Sequence, residues 1–358
     1  MGDLCNTDAF QRLLSDLRLA SESRSDVAFP ADSLRKVQDA GGLRWNLPED
    51  FGGLGLDSVS MLTVYRRLAS ACLATTFILT QRNAACARIL SSDNESLKRR
   101  LLPELATGQL FATVGISHLT TSRQHLSRPA VAVSSQGDSQ WLFRGTVPWV
   151  TAGSEAQLIV TGGVLDDGRQ ILAAVPTDRD GMHVRKPAQL MALTETATGA
   201  VELADVSVAR EEVLHGPAER VLTQGAGGGA GSLGTSAVAI GAAEGSLQQF
   251  AEEAVRRPQL REYLDPLQAE AETLVHQFDQ TASAADPAPA EVERLRQQAN
   301  SLVMRSAQAW LAATKGAGFM SGHPAERAVR ESMFFLVWSC PQSVLEANLR
   351  ELACTIAG

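Results

Sequence analysis

The sequence predicts an α+β fold in three parts: an N-terminal helical domain (1–108), a central antiparallel β-domain (109–216) and a C-terminal helical bundle (217–358). Three observations carry that expectation. Apolar residues recur at spacings of three and four through the first third of the chain and again after residue 235. Between those regions, short alternating runs are separated by turn residues with no helical segment intervening, the pattern of an antiparallel sheet or small barrel. The 358 residues, 44% of them hydrophobic, suffice for two or three cores rather than one.

The elements follow in order. DAFQRLLSDLRLA (8–20) and the long stretch 57–90 show helical spacing. Between them LPEDFGGLGLD (47–57) carries a Pro and three Gly, which force a loop, and Asp57 or Ser58 is placed to cap the helix that follows. SLKRRLLPELATG (96–108) reads as a short helix ending at Gly108. Then AVAVSS, QWLFRGTV, QLIVTGGVL, RQILAAVP and GAVELADVSV read as strands. Turn residues at Gln136, Gly137 and Asp138, at Asp166, Asp167 and Gly168, and from Asp178 to Gly181 separate them. GAGGGAGSLG (225–234) reads as a connector, because the Lys-Ser of a phosphate-binding loop is absent. Long helices resume at 236–257, 264–282 and 290–318, the last two divided by ADPAPA, and a final pair covers 324–338 and 341–354.

Composition excludes several classes. A formal net charge of -8 argues against a nucleic-acid binder, which needs a basic field. No run approaches the ~18 apolar residues of a membrane span, and MGDLCNTDAFQRLL lacks the basic flank and apolar run of a secretion signal. Gly2 is followed by Asn6 where a lipidation signal has Ser or Thr. Five scattered cysteines form no CxxC pair and have no His at ligand spacing, so a disulfide framework or metal site is not expected, and a cytoplasmic location is.

Five local stretches, in the right order over nearly the whole chain, resemble the acyl-CoA dehydrogenase family. LPEDFGGLGL (47–56) is similar to its Pro-Glu-x-aromatic-Gly-Gly-x-Gly loop, and PWVTAGSEAQLIV (148–160) to its Trp-x-Thr segment. TGAVELADVSVAREEVL (198–214) resembles the strand that returns the chain to the helices. RRPQLREYLDPLQ (256–268) resembles its Arg-x-Gln-Phe-Gly turn, and KGAGFMSGHPAERAVRES (315–332) its Gly-rich turn and Arg-rich helix. The resemblance implies a four-helix C-terminal bundle, FAD as cofactor, an acyl-CoA or carrier-bound small-molecule substrate, and assembly as a homodimer or homotetramer.

By the same resemblance, Trp149 lies against the flavin ring and Thr151 hydrogen-bonds near its N5 edge; a flat buried ring wants an aromatic wall and partners for its polar rim. Read from position alone, Trp149 is a strand-end core aromatic. Arg257 and Gln259 match the residues that reach the FAD pyrophosphate across a subunit interface, a task that suits the planar guanidinium fork; the local reading of Arg257 is a solvated helix-end Arg. Gly316, with Lys315, occupies the adenine-side turn, where the family has adjacent glycines.

Departures from the family pattern are as informative. Its acidic, Gly-rich flavin and substrate segment is replaced by GISHLTTSRQH (115–125), whose Ser117, Arg123 and His118 are candidates to line the pocket, His118 as an acid/base. The catalytic Glu beside an aromatic falls on Ser339, preceded by Trp338 and followed by Cys340 and Pro341, and its alternative location falls on Gly234. A hydroxyl without an activating base is no substitute for a carboxylate. Pro341 is expected as the first residue of the last helix with Cys340 at its N-cap, where the helix dipole would lower the thiol pKa. Three readings follow: an FAD-dependent oxidoreductase acting on an acyl thioester with its base replaced, a flavin-dependent monooxygenase of the same fold, or an inert member serving as a binding or assembly partner.

Overall fold

The computed structural model describes residues 4–23, 28–120, 128–137, 139–225 and 233–354. The N-terminal part holds α1 (Asp8–Ser23), α2 (Ala31–Asp39), α3 (Ser58–Ala69), α4 (Leu73–Leu90) and α5 (Glu95–Thr107). In α1 the buried Phe10, Leu13, Leu14 and Leu17 form one stripe, as the three-four spacing requires. Asp57 caps α3 by accepting the Ser60 amide at 2.7 Å. Gly108, in the left-handed region at φ 79°, closes α5. The preceding loop folds back so tightly that a Cβ on Gly53 would stand 1.8 Å from the Leu47 carbonyl oxygen, which is why a glycine is needed there.

The central sheet contains β1 (Ala112–Gly115), β2 (Val131–Ser135), β3 (Gln140–Val150), β4 (Leu158–Leu165), β5 (Gln170–Pro176), β6 (Met182–Val184), β7 (Gly199–Ala209) and β8 (Val213–Ala218). Its order is β6-β7-β3-β2-β4-β5-β8, with β1 beside β4. The expected antiparallel sheet needs a correction: β1 and β2 both run parallel to β4, while the other pairings are antiparallel. The chain enters β1 from α5, and β4 returns alongside it in the same direction. The last strand reaches Ala218, two residues past the boundary read from the sequence.

The sheet is covered on both faces, which explains why β4 and β5 read as apolar runs. Ile159, Ile171 and Val175 point inward with Phe143, Val147, Val201 and Val206. Leu158, Val160, Leu172 and Ala174 point outward onto Cys86, Ile89, Leu101 and Leu105 of α4 and α5. The β-domain is thereby fastened to the N-terminal helices through a shared core.

The bundle comprises α6 (Leu233–Arg256), α7 (Arg261–Ser283), α8 (Pro289–Thr314), α9 (Pro324–Ser332) and α10 (Gln342–Leu352). Helix α6 lies against α3, α7 and α8 and buries Ala237, Val238, Ala239, Ile240 and Ala243 almost all round. It meets α3 at backbone distance: a Cβ on Gly241 would stand 2.0 Å from the Arg66 carbonyl oxygen. Leu193, from the loop before β7, joins this helical core and carries the β-domain onto the bundle.

That contact generates a prediction against helix propensity. Gly→Ala inside a helix is ordinarily stabilising by roughly 0.5–1 kcal/mol. Gly241→Ala is expected to destabilise by about 1–3 kcal/mol through overpacking, read as a lower urea midpoint at unchanged slope.

Candidate functional site

The end of β3 departs from regular pairing. Val147 pairs with Val201 and Val150 with Gly199, so three steps on β3 oppose two on β7. The extra residue is a β-bulge at Pro148 and Trp149, a device that re-aims a side chain. Pro148, Val150 and Thr151 stay buried while Trp149 turns outward and is 51% exposed. It is therefore not a core aromatic.

Thr151 stands at the end of a hydroxyl chain. Thr198 Oγ1 donates to Thr151 Oγ1 at 3.0 Å, and Thr198 Oγ1 lies 2.8 Å from Thr196 Oγ1, which donates to the Leu193 carbonyl at 2.7 Å. Each hydroxyl has one proton, so with Thr198 donating to Thr151 the contact to Thr196 is a hydrogen bond only when Thr196 turns its proton from the Leu193 carbonyl to Thr198; in that arrangement the Thr151 hydroxyl keeps its own proton for a further acceptor. The backbone is fixed on both sides: Thr113 Oγ1 donates to the Thr151 carbonyl at 2.8 Å, and the Ala152 amide donates to the Thr196 carbonyl at 2.8 Å.

The 3-10 turn Ser117–Leu119 follows β1 and packs near β3. Ser117 Oγ is buried with no hydrogen-bond partner among the described residues, an atom that a polar ligand edge would satisfy. His118 is buried, and its Nε2–H donates to the Gly162 carbonyl of β4 at 2.8 Å, since a carbonyl can only accept. Arg123 lies outside the described residues.

Farther along the bundle, Arg257 pairs with Glu253 at 2.8 Å and donates to the Ala313 carbonyl, tying the end of α6 to the end of α8. Gln259 is exposed, as is Gly316, whose missing Cβ would face open space. Trp149 and Thr151 present an exposed aromatic face and a buried hydroxyl side by side in sequence, the chemistry that a flat ligand with a polar edge requires.

The corner between α9 and α10 has its own architecture. Trp338 stacks on Phe334 with centroids 5.3 Å apart, and the edge of Phe77 from α4 meets both rings at 4.9 Å. Below them, the fully buried Arg296 of α8 donates through Nη2 to the carbonyls of Trp338 (2.9 Å) and Phe335 (3.2 Å), and Asn300 also donates to Phe335. Arg296 Nε and Nη1 have no acceptor among the described residues. Burial pulls its pKa down to about 10. Sequence reasoning missed Arg296; its signal was a charged residue inside the apolar stripe of Leu295, Ala299, Leu302 and Val303.

Two expectations at this corner are corrected. The last helix starts at Gln342 with Pro341 as its N-cap residue, so Cys340 lies one position too early to cap it. The Cys340 thiol pKa is raised rather than lowered, chiefly because the group is desolvated, with the nearby Arg296 charge a smaller opposing effect. Ser339 adopts the left-handed region at φ 47°.

Comparison with known proteins decides what this frame is. Residues 12–109 match the family model described as the acyl-CoA dehydrogenase N-terminal domain. The chain is similar to a probable acyl-CoA dehydrogenase of Bacillus subtilis, 24% identical over 67% of this chain and 64% of the relative, just under two thirds of its length. It is also similar to the short-chain specific acyl-CoA dehydrogenase of Clostridium acetobutylicum, 22% identical over 88% of this chain and 87% of that protein. Among solved structures, a glutaryl-CoA dehydrogenase of Mycobacterium smegmatis in complex with FADH2 superposes with a TM-score of 0.79 at 19% identity, over 99% of this chain and 96% of that one. A dibenzothiophene monooxygenase of Paenibacillus superposes with a TM-score of 0.78 at 17% identity, covering 97% of each chain. The chain has the acyl-CoA dehydrogenase fold.

Within this acyl-CoA dehydrogenase fold, one further residue was not found from sequence. Glu195 is 1% exposed and sits on the 3-10 turn Thr194–Thr196, between Leu193 (φ 61°) and Ala197 (φ 50°). Left-handed non-glycine residues cost on the order of 1–3 kcal/mol each and gather where function requires them. Its signal was available: Glu195 is the one charged residue between Lys186 and Glu202. Among the described residues, no cluster of three or more His, Cys, Asp or Glu is placed to hold a metal ion.

Thiol accessibility supplies a check on the corner. Cys354 is exposed, Cys340 half-buried with a raised pKa, and Cys5, Cys72 and Cys86 buried. Iodoacetamide at neutral pH is expected to label Cys354 first and Cys340 slowly, with Cys340 labelling accelerating in alkali, as read by peptide mass spectrometry. Rapid labelling of Cys340 at neutral pH would restore the low-pKa reading.

Proposed function

We propose that the protein is an FAD-dependent oxidoreductase acting on an acyl thioester, carried on CoA or a carrier protein, or on a related small metabolite. The observation that supports this most directly is the bulge in β3, which breaks the ladder to turn a large aromatic outward two residues before the buried Thr151 hydroxyl. When bound, FAD supplies two-electron acceptor chemistry. Trp149 would wall one face of the flavin, Thr151 would donate to its polar edge and Ser117 would complete that edge. Arg257, Gln259 and Gly316 would serve the nucleotide end, from a second copy of the chain in a homodimer or homotetramer. Phe77, Phe334 and Trp338 form an apolar wall beside the corner that excludes water from the acyl side, with Cys340 at its margin.

Ser339 brings no carboxylate to the corner, and this favours a second reading. A flavin-dependent monooxygenase needs no base at that turn, and the dibenzothiophene monooxygenase shows that the fold accommodates such activity. His118 donates through Nε2 to the Gly162 carbonyl, which puts the ring's basic lone pair on Nδ1.

The purified protein is expected to be yellow or to become so on reconstitution with FAD. Trp149→Ala should weaken flavin retention about tenfold, given aromatic pairing worth roughly 0.5–1.5 kcal/mol beyond burial, with the melting temperature little changed because the ring is already half exposed. Full flavin content in that variant would move the flavin away from Trp149. Anaerobic bleaching by acyl-CoA thioesters would support dehydrogenation. Oxygen uptake only when a reductase supplies reduced flavin would support the monooxygenase.

A further inference from the structure

We propose that Cys340 is a site of oxidative modification, its sulfur converted by a hydroperoxide to a sulfinate that Arg296 holds as an ion pair. The inference concerns the corner between α9 and α10 and is independent of the flavin reading above.

The contacts around the thiol close into a ring. From α8, Arg296 Nη2 donates to the Trp338 carbonyl at 2.9 Å, and Arg296 and Asn300, one turn apart, both donate to the Phe335 carbonyl at 3.2 Å. Asn300 Nδ2 also donates to Asn348 Oδ1 of α10 at 3.3 Å, and Asn348 Nδ2 donates to Cys340 Sγ at 4.0 Å. Ser339 alone separates Trp338 from Cys340 in the chain, so the ring returns to the guanidinium from which it started. Three atoms of its members are buried without a hydrogen-bond partner among the described residues: Arg296 Nε and Nη1, and Asn300 Oδ1. Arg296 and Asn300 are both 0% exposed, so neither turns to bulk water instead.

A buried cation with unused donors favours an anion beside it. On this ring the thiol is the group that can become one. Its contacts are long and weak, to Asn348 and to the Pro341 carbonyl at 3.8 Å. Desolvation outweighs the attraction of Arg296 and keeps the thiol protonated at neutral pH. Oxidation removes that obstacle, because a sulfinate is ionised at neutral pH and its oxygens accept charge-assisted hydrogen bonds that sulfur accepts poorly. Cys5, Cys72 and Cys86 are buried, whereas Cys340 is only half-buried and within reach of a small oxidant.

Each step balances. Sulfur attacks one peroxide oxygen, an S–O bond forms, the O–O bond breaks, and sulfur gives two electrons to the hydroperoxide. The thiol proton leaves with the departing alcohol or water. A second hydroperoxide repeats the transfer on the sulfenic acid, giving the sulfinate, a second alcohol or water, and a proton released to solvent.

The test begins with the full chain in hydrogen peroxide, Cys340 being followed by peptide mass spectrometry. The Cys340 peptide is expected to gain two oxygens, faster in alkali than at neutral pH because the thiolate is the nucleophile. Without oxidant, Cys340→Asp places a carboxylate where the sulfinate would stand, and is expected to melt about 2–4 °C above the isosteric Cys340→Asn at neutral pH. That difference is expected to vanish when Arg296→Met is added to both. Should Arg296→Met fail to fold, Arg296→Gln keeps an N–H donor for the Phe335 and Trp338 carbonyls without the charge, and the same loss is expected. A Cys340→Asp protein melting at or below Cys340→Asn, a difference that survives loss of the guanidinium, or a Cys340 that stays reduced while the exposed Cys354 is fully oxidised would each overturn the assignment.

Discussion

A single backbone hydrogen bond, from the Ala152 amide to the Thr196 carbonyl, joins the two halves on which the candidate site depends. One side is the end of β3, where the bulge sends Trp149 outward and leaves Thr151 buried. The other is the strained turn that carries Glu195 and then delivers Leu193 into the helical core. Both segments belong to the β-domain, and because Leu193 of the second packs into the helical core, the joint also carries the end of β3 onto the bundle. The hydroxyl chain through Thr151, Thr198 and Thr196 reinforces it in surroundings from which water is excluded, where such bonds are most directional.

The corner near the C-terminus is built on a different balance. A guanidinium in the bundle core usually has a carboxylate partner, because an isolated buried charge is costly. Arg296 has instead two peptide carbonyls and the face of Phe335, whose centroid lies 5.9 Å from Cζ. Carbonyl oxygens that a helix end would leave unsatisfied thus find a donor, and the aromatic wall of Phe334 and Trp338 is held in place from beneath. The backbone there needs that anchor, since Ser339 occupies a conformation that non-glycine residues seldom adopt.

Much of this was legible in the sequence. Three- and four-residue spacing located the helices, alternation located five of the strands, and Asp57 and Gly108 marked helix ends as read. Strands β1 and β6 escaped because four and three residues carry too little periodicity to register, and β8 because Gly216 and Pro217 interrupt its pattern. The parallel pairings escaped because direction is set by which strand a segment finally lies beside, a tertiary fact. At the candidate site, a motif singled out Trp149 and Thr151, whereas the exposure of Trp149 depends on one additional residue in the ladder against β7. Arg296 and Glu195 were overlooked for a shared reason: a charge within an apolar segment reads locally as an interruption, and only packing shows it to be enclosed.

The guanidinium beneath the corner, which has no carboxylate partner among the described residues, has a consequence for the residue above it. Arg296 Nη2 holds the carbonyl of Trp338, immediately before Ser339, so a carboxylate introduced at 339 would arrive near a cation that has no acid partner among the described residues. Attraction of that kind favours the ionised acid and makes it a poorer base. The corner is electrostatically matched to a neutral side chain, and restoring an acid there would call for a change in α8 as well.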